Sequence, residues 1–269
     1  MHVVFREAQG LEETDVPMDL GQSPADLVVL SFSDSDLGAF SEGWKKEKEG
    51  LPSLRLANLV ALKHPLSIDT YIEQTLEKAK GILIRLIGGV QYWEYGLNQV
   101  YNLAQEKGIA LAVLPADGRE DDRLDEFSTI PKSTLLRLKN LTDTGGSKAA
   151  AAALAQLAIS AGLYAAPIIG DKALPDVGYW LPEDGVVSEF SSHNKYQLIC
   201  ITFYRSFLAS EDMAAIRQLS AAFDFLGYQV VGIFAPTLKN PEYGSWIQQA
   251  IKTLPVSYTH LTLPTKWIV

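Results

Sequence analysis

The sequence predicts an α/β protein, with a doubly wound, mostly parallel sheet, a helical insertion and then a second α/β unit. Short apolar runs rich in β-branched residues recur along the chain, and helix-start signals follow them. A strand that is buried on both faces is continuously apolar, and helices alternate with such strands in doubly wound folds. The chain therefore predicts parallel strands joined by right-handed helical crossovers.

The predicted strands are marked by their apolar runs. Five runs predict buried strands, at Leu27–Ser31, Ile82–Leu86, Leu111–Leu114, Leu198–Ile201 and Val230–Phe234. A further apolar run, Leu54–Leu62, precedes a helix that starts near Pro65. Ser35 or Asp36 is expected to cap the helix after the first strand, because short polar side chains accept hydrogen bonds from the first amides of a helix.

The chain divides into four regions by composition. Residues 1–165 form an N-terminal α/β domain, within which residues 120–164 are a helical segment without strands. Residues 166–196 carry proline and glycine at short intervals and predict a linker. Residues 197–255 resume the strand and helix alternation as the start of a second, truncated α/β domain.

The last region, residues 256–269, changes abruptly to a threonine-rich stretch. Its first ten residues, VSYTHLTLPT, resemble a transposase-type sequencing adapter read in frame. We expect this tail to be non-native and to pack poorly, and we expect the natural polypeptide to continue past residue 254 or 255. The alternative is a natural C-terminal strand.

Composition restricts the partners and the compartment. The net charge of -9 argues against nucleic acid and anionic membranes as partners, because an acidic surface repels both. The single cysteine, Cys200, excludes an intramolecular disulfide, and no apolar run is long enough to predict a membrane span. We therefore expect a cytoplasmic protein.

Neither a metal site nor a nucleotide site is predicted within this chain. Its four histidines are scattered, whereas a metal ion usually needs three or four converging donors. The segment Gly145-Gly146-Ser147-Lys148 resembles part of a phosphate-binding loop, but it lacks the required glycine spacing and follows a predicted helix. A turn between two helices is the better interpretation.

Two clusters at predicted strand ends are candidate ligand sites. In the first, Arg85 ends a strand, and a glycine pair at 88–89 and the aromatic residues Tyr92, Trp93 and Tyr95 follow it. Aromatic faces stack on flat ligands, and arginine binds carboxylates through two donors. Arg85 and Trp93 are therefore candidate substrate-binding residues. The alternative is that the aromatic residues close the domain core.

The second cluster is Tyr204 and Arg205, which directly follow an apolar run. Ligand sites of open α/β sheets lie at the carboxyl ends of the strands, so both residues are candidate substrate-binding residues. The planar donors of Arg205 suit a carboxylate. The alternative is a salt bridge from Arg205 to Glu211 or Asp212 near the next helix.

Five segments resemble the N-terminal region of the large subunit of aerobic, ATP-dependent cobaltochelatase. They follow the same order over about residues 1–254, and they are Asp19–Phe40, Pro52–Tyr71, Ile82–Leu97, Ile109–Leu124 and Ile201–Ile216. The related magnesium-chelatase large subunits resemble the first of these segments less closely.

This resemblance implies that the complete subunit binds the corrin precursor hydrogenobyrinic acid a,c-diamide, with Co²⁺ as the other substrate. It implies two partners: an AAA+ ATPase subunit, which hydrolyses the ATP that this chain does not bind, and a second small chelatase subunit. Family members are several times longer, so the catalytic and metal-ligating residues are expected downstream and this chain alone is expected to be inactive. The alternatives are a magnesium-chelatase fragment that binds protoporphyrin and a non-catalytic module that binds a small anionic metabolite.

Overall fold

The computed structural model describes residues 16–116, 121–169, 174–190, 197–237 and 239–254, and the backbone of residues 256–260. The chain forms two compact units, Met1–Asp171 and Lys172–Val269. Among the described residues, every helix is too short or too polar to cross a lipid bilayer.

The first unit contains a four-stranded parallel sheet in the order β2-β1-β3-β4. Its elements are β1 (Leu27–Ser31), α1 (Asp34–Lys46), β2 (Leu54–Asn58), α2 (Pro65–Gln74), β3 (Gly81–Leu86), α3 (Glu94–Lys107), β4 (Ala110–Pro115), α4 (Asp122–Asp125), α5 (Lys132–Thr144) and α6 (Ser147–Ser160). Short 3-10 turns lie at Leu59–Leu62, Leu76–Lys78 and Val90–Tyr92. The predicted α/β class is confirmed.

Both faces of this sheet are covered by helices. Alternate residues of β1 enter two apolar clusters: Leu27 and Val29 pack with α1, α5 and α6, whereas Val28 and Leu30 pack with α2 and α3. All five residues of β1 are buried. Burial on two sides is the reason that the run LVVLS carries no polar alternation.

Helices α1 and α6 cross at close range over one face of the sheet. Gly43 of α1 lies at the crossing, where a Cβ atom would come within 2.3 Å of the Ser147 carbonyl oxygen and 2.9 Å of the Ala151 amide nitrogen. The facing helix α6 begins with five buried alanines, Ala149–Ala153. Small residues on both helices therefore set the short distance between them.

The second unit contains a five-stranded mixed sheet in the order β6-β5-β8-β7-β9. Its elements are β5 (Gly178–Leu181), β6 (Gly185–Val187), β7 (Leu198–Tyr204), α7 (Arg205–Ala209), α8 (Ala214–Phe225), β8 (Gln229–Ala235), α9 (Pro241–Thr253) and β9 (Val256–His260). Strand β7 is parallel to β8 and β9, whereas β5 is antiparallel to β6 and β8. Cys200 in the middle of β7 is fully buried, which raises the pKa of its thiol to about 11.

Part of the predicted linker, residues 166–196, belongs to this second sheet. Strands β5 and β6 lie within it and form an antiparallel pair next to β8. They contain four and three residues, and each starts with a glycine. Runs this short show no alternation of apolar and polar residues that could predict a strand.

The start of the tail, residues 256–269, has the backbone of a strand, and the expectation that the tail packs poorly stays a prediction from the sequence. Val256–His260 form β9, which pairs in parallel with β7, with a register shift between Leu198 and Ile199. Residues 261–269 lie outside the described residues. The adapter origin of the tail stays a prediction from the sequence.

Substituting Gly43 by alanine tests the crossing of α1 and α6. In an exposed helix, this change adds about 1 kcal/mol of stability through helix propensity. At the crossing the new methyl group meets the backbone of α6, so we expect Gly43→Ala to lower the free energy of unfolding by about 1–3 kcal/mol. Urea denaturation measures the change.

Glu42→Ala is the control for this substitution, because the Glu42 side chain is partly exposed and pairs only at the surface with Lys45. It should change the free energy of unfolding by less than about 0.5 kcal/mol. A stabilising effect of Gly43→Ala would contradict the close crossing.

Candidate functional site

The order of the first sheet changes direction at β1: the chain places β2 on one side of β1 and β3 on the other. In open α/β sheets, ligands bind beyond the carboxyl ends of the strands at such a switch point. The register places Ser31 of β1 level with Asn58 of β2 and Arg85 of β3. A row of polar side chains therefore crosses this carboxyl edge.

Arg85 is buried at this edge and is held by two carboxylates. Its Nη1 donates to Asp36 Oδ1 at 2.8 Å, and its Nη2 donates to Asp143 Oδ1 at 3.2 Å. Ser31 Oγ donates to Asp36 Oδ2 at 2.9 Å. A buried charge requires such partners because its desolvation cost is large. These four residues, which we call the Arg85 network, join β1 and β3 to α1 and α5.

Burial and pairing have opposite effects on Asp36. Burial raises the pKa of this carboxyl above its ordinary value, and the charge of Arg85 and the hydrogen bond from Ser31 oppose the rise. Asp143 also accepts a hydrogen bond from Lys139 Nζ at 2.8 Å. Within the described part of the chain, the Nε of Arg85 has no hydrogen-bond partner. The Arg85 guanidinium thus braces the sheet edge from inside the fold, and its contact with a substrate stays a prediction from the sequence.

The N-cap of α1 is Ser33, whose side chain accepts a hydrogen bond from the Asp36 amide at 3.2 Å. The expectation that Ser35 or Asp36 caps this helix is therefore wrong. Asp36 lies in the first turn instead, where its carboxylate reaches Arg85. No local signal indicates this pair, because the two residues are 49 positions apart in the sequence.

The adjacent residues Tyr92 and Trp93 lie in different environments. Trp93 is 4% exposed, and its Nε1 donates to the carbonyl oxygen of Leu62 at 2.7 Å. This placement fits the alternative in which aromatic residues close the core, and a substrate contact of Trp93 stays a prediction from the sequence. Tyr92 ends the preceding 3-10 turn and is 64% exposed.

A loop with two left-handed glycines connects β3 to α3. Gly88 and Gly89 have φ values of 83° and 82°, a region that favours glycine. The Tyr92 ring packs against Gly88, and the Asp121 carboxylate lies against Gly89. Arg123 donates from Nε and Nη2 to the two Asp121 oxygens, each at 2.9 Å, which lowers the pKa of Asp121. The loop therefore holds an aromatic ring and an ion pair side by side.

In the second unit, Arg205 binds the segment that leads into β5. Its Nε donates to the carbonyl oxygen of Pro175 at 3.0 Å, and its Nη2 donates to that of Leu174 at 2.8 Å. The Asp176 carboxylate lies 3.8 Å from the Arg205 Nε. Tyr204 ends β7 and is partly buried. Arg205 therefore holds protein backbone at the carboxyl end of β7.

The alternative considered for Arg205 was a salt bridge to Glu211 or Asp212. In the structure, Arg205 lies 3.8 Å from Asp176 and Glu211 lies 3.9 Å from Arg217. The carbonyl partners of Arg205 could not be predicted from the sequence, because β5 was part of the predicted linker. The antiparallel pairing of β5 with β8 brings this segment to the carboxyl end of β7.

The chemistry available at these sites is limited to ion pairs, hydrogen-bond donors and aromatic faces. The described residues contain no group of three or more histidine, cysteine, aspartate or glutamate side chains that could hold a metal ion. Gly145 and Gly146, both with positive φ, join α5 to α6 as a turn between helices.

Known proteins are similar to this chain over most of its length. It is 32% identical over 262 residues, 89% of the chain, to the aerobic cobaltochelatase subunit CobN of a Sinorhizobium species. It is 28% identical over 267 residues, 96% of the chain, to the protein of the same name from Pseudomonas aeruginosa. The chain covers 20% and 21% of these proteins, so it spans about a fifth of their length.

A solved structure has the same fold. The chain matches the catalytic subunit of cobaltochelatase from Mycobacterium tuberculosis with a TM-score of 0.67 and 18% identity, covering 88% of this chain and 18% of that one. No protein-family model matches the chain. The resemblance to cobaltochelatase subunits that the five sequence segments indicated is confirmed.

Substituting Asp36 by asparagine tests whether the Arg85 network stabilises the first unit. The amide keeps the side-chain shape but leaves Arg85 with Asp143 as its remaining carboxylate partner. We expect the free energy of unfolding to fall by about 3 kcal/mol, because a buried charge loses a partner. Denaturation followed by circular dichroism measures the loss.

Glu42→Gln is the matched control, because it removes a carboxylate from a surface pair with Lys45. It should lower the free energy of unfolding by less than about 1 kcal/mol. Equal effects of the two substitutions would contradict a structural role for the network.

Proposed function

We propose that this chain is the N-terminal region of the large subunit of an aerobic cobaltochelatase, and that it contributes to the binding of hydrogenobyrinic acid a,c-diamide. The observation that carries this proposal is the 32% identity to a cobaltochelatase subunit over 89% of the chain. A match that runs through both units in order is more specific than a shared α/β fold or a single motif. In the complete enzyme, Co²⁺ is the ion inserted into the macrocycle.

The proposal assigns ATP hydrolysis to a partner, an AAA+ ATPase subunit that acts in the cytoplasm with a second small chelatase subunit. The only phosphate-loop-like segment, at Gly145–Lys148, starts a helix after another helix, and its glycine spacing does not suit nucleotide binding. The metal-inserting residues are assigned to the four-fifths of the relatives' length that this chain does not cover.

We assign a candidate macrocycle contact to the carboxyl edge of the first sheet and, independently of it, another to the carboxyl edge of the second sheet. At the first sheet, the Arg85 network supports the carboxyl edge. The loop after β3 starts at this edge, next to the point where the strand order reverses. At the second sheet, Tyr204 remains the candidate contact, and Arg205 supports it by holding the backbone before β5. Arg85 and Arg205 are thus positioning residues in this proposal.

Ligand preference tests this function. Absorbance titration of the purified chain with hydrogenobyrinic acid a,c-diamide and with protoporphyrin gives both dissociation constants. We expect the corrin precursor to bind at least about tenfold more tightly, a difference of roughly 1.4 kcal/mol. Tighter binding of protoporphyrin would favour a magnesium-chelatase role. Binding of neither macrocycle would overturn the proposal and favour a module for a small anionic metabolite.

We also expect the purified chain to lack both ATPase and cobalt-insertion activity. The physical reasons are the unsuitable glycine spacing and the lack of a metal-binding cluster among the described residues. Phosphate release and the absorbance change on cobalt insertion are the two measurements. Cobalt insertion by the isolated chain would contradict the assignment of the chemistry to the rest of the subunit.

A further inference from the structure

We propose that the loop between β3 and α3 presents Tyr92 as a stacking surface for a flat conjugated ring, with Arg123 as a donor to an oxygen on the rim of that ring. This inference deepens the proposed function and rests on it for the identity of the ligand, the corrin precursor. In this inference, the aromatic contact of the first unit is Tyr92 and not its buried neighbour Trp93.

The exposure and support of Tyr92 are the first argument. Its side chain is 64% exposed, in contrast to the 4% of Trp93. The ring rests on the backbone of Gly88, where a Cβ atom would come within 2.4 Å of the ring carbon Cε2. The ring is therefore supported by the loop backbone and is largely exposed, and stacking on a flat ligand requires such an exposed ring.

The backbone of the loop is the second argument. Gly89 has φ 82° and ψ -170°, a conformation that is essentially restricted to glycine. A Cβ atom at Gly89 would also lie 2.8 Å from Asp121 Oδ2. Two features therefore require glycine at both positions: the positive φ values, and the close approach of the Tyr92 ring and the Asp121 carboxylate.

The donor beside the ring is the third argument. The Arg123 side chain is 68% exposed, and it binds Asp121 through Nε and Nη2. Its Nη1 takes no part in this ion pair. The ion pair fixes the plane of the guanidinium, so this nitrogen is oriented for an additional acceptor. A carboxylate or amide oxygen on a macrocycle rim is such an acceptor.

The loop is anchored at both ends, which keeps this surface in place. Arg85 holds the end of β3, and the Trp93 indole binds the Leu62 carbonyl oxygen beyond β2. Tyr95 donates from its hydroxyl group to the Asp69 carboxylate at 2.9 Å. A surface that is ordered before binding loses little entropy when the ligand arrives. The position at the switch point of the sheet agrees with a ligand site.

The test is an absorbance titration of the full chain and its variants with hydrogenobyrinic acid a,c-diamide. Tyr92→Ala should weaken binding about tenfold, whereas Tyr92→Phe, which keeps the ring, should bind within about twofold of the unsubstituted chain. Arg123→Ala should weaken binding about three- to tenfold. The control is Tyr164→Ala, at a tyrosine that is 82% exposed on a different segment of the first unit, and it should not change binding.

Thermal unfolding of each variant separates a local effect from misfolding; Tyr92→Leu replaces Tyr92→Ala if the latter unfolds. If the unsubstituted chain binds the precursor and Tyr92→Ala binds equally well, the inference is wrong and the proposed function stands. If the unsubstituted chain does not bind the precursor at all, both are overturned. Loss of binding in Tyr92→Ala with retention in Tyr92→Phe and Tyr164→Ala supports the inference.

Discussion

The buried guanidinium of Arg85 constrains the arrangement of the first unit. An arginine stays charged in proteins, so the fold has to supply carboxylates to a side chain that water does not reach. Asp36 and Asp143 supply them from 49 and 58 positions away in the sequence. Both can reach Arg85 only if α1 and α5 pack on the same face of the sheet. The ion pairs therefore select one packing of these helices, in addition to the apolar contacts.

The loop that we propose as a ligand surface depends on this internal bracing. The last residues of β3 are held by the Arg85 network, and the loop that carries Gly88 and Tyr92 begins two residues after the strand. At its far end the loop is held by the buried Trp93. Glycine adopts a positive φ without strain, but it is also flexible, so its conformation in a loop is fixed by the contacts around it. The rigid ends of the loop provide that constraint.

The strands could be predicted from the sequence because burial on both faces leaves a local signal. The run at Leu27–Ser31 matches β1, and the run at Val230–Phe234 lies within β8. Strands β5 and β6 could not be predicted, since they have four and three residues and glycines where a pattern would start. Because these strands were not predicted, the backbone carbonyl oxygens that Arg205 binds could not be predicted either.

The candidate site at the end of β3 could be predicted from the sequence, but the environments of its residues could not. Tyr92 and Trp93 are adjacent aromatic residues in the same sequence context. The Tyr92 ring points outward from the 3-10 turn, whereas the Trp93 ring enters the core. That outcome depends on a contact with the turn that follows β2. In the same way, the partners of Arg85 come from helices whose packing is set by the whole unit.

Hydrogen–deuterium exchange of the chain with and without hydrogenobyrinic acid a,c-diamide tests the central claim most directly, namely that the braced carboxyl edge of the first sheet is the ligand surface. The account predicts slower amide exchange at residues 87–95 and around Arg123, with unchanged exchange in α8. Protection confined to the region around Tyr204, with no change in the loop after β3, would contradict it.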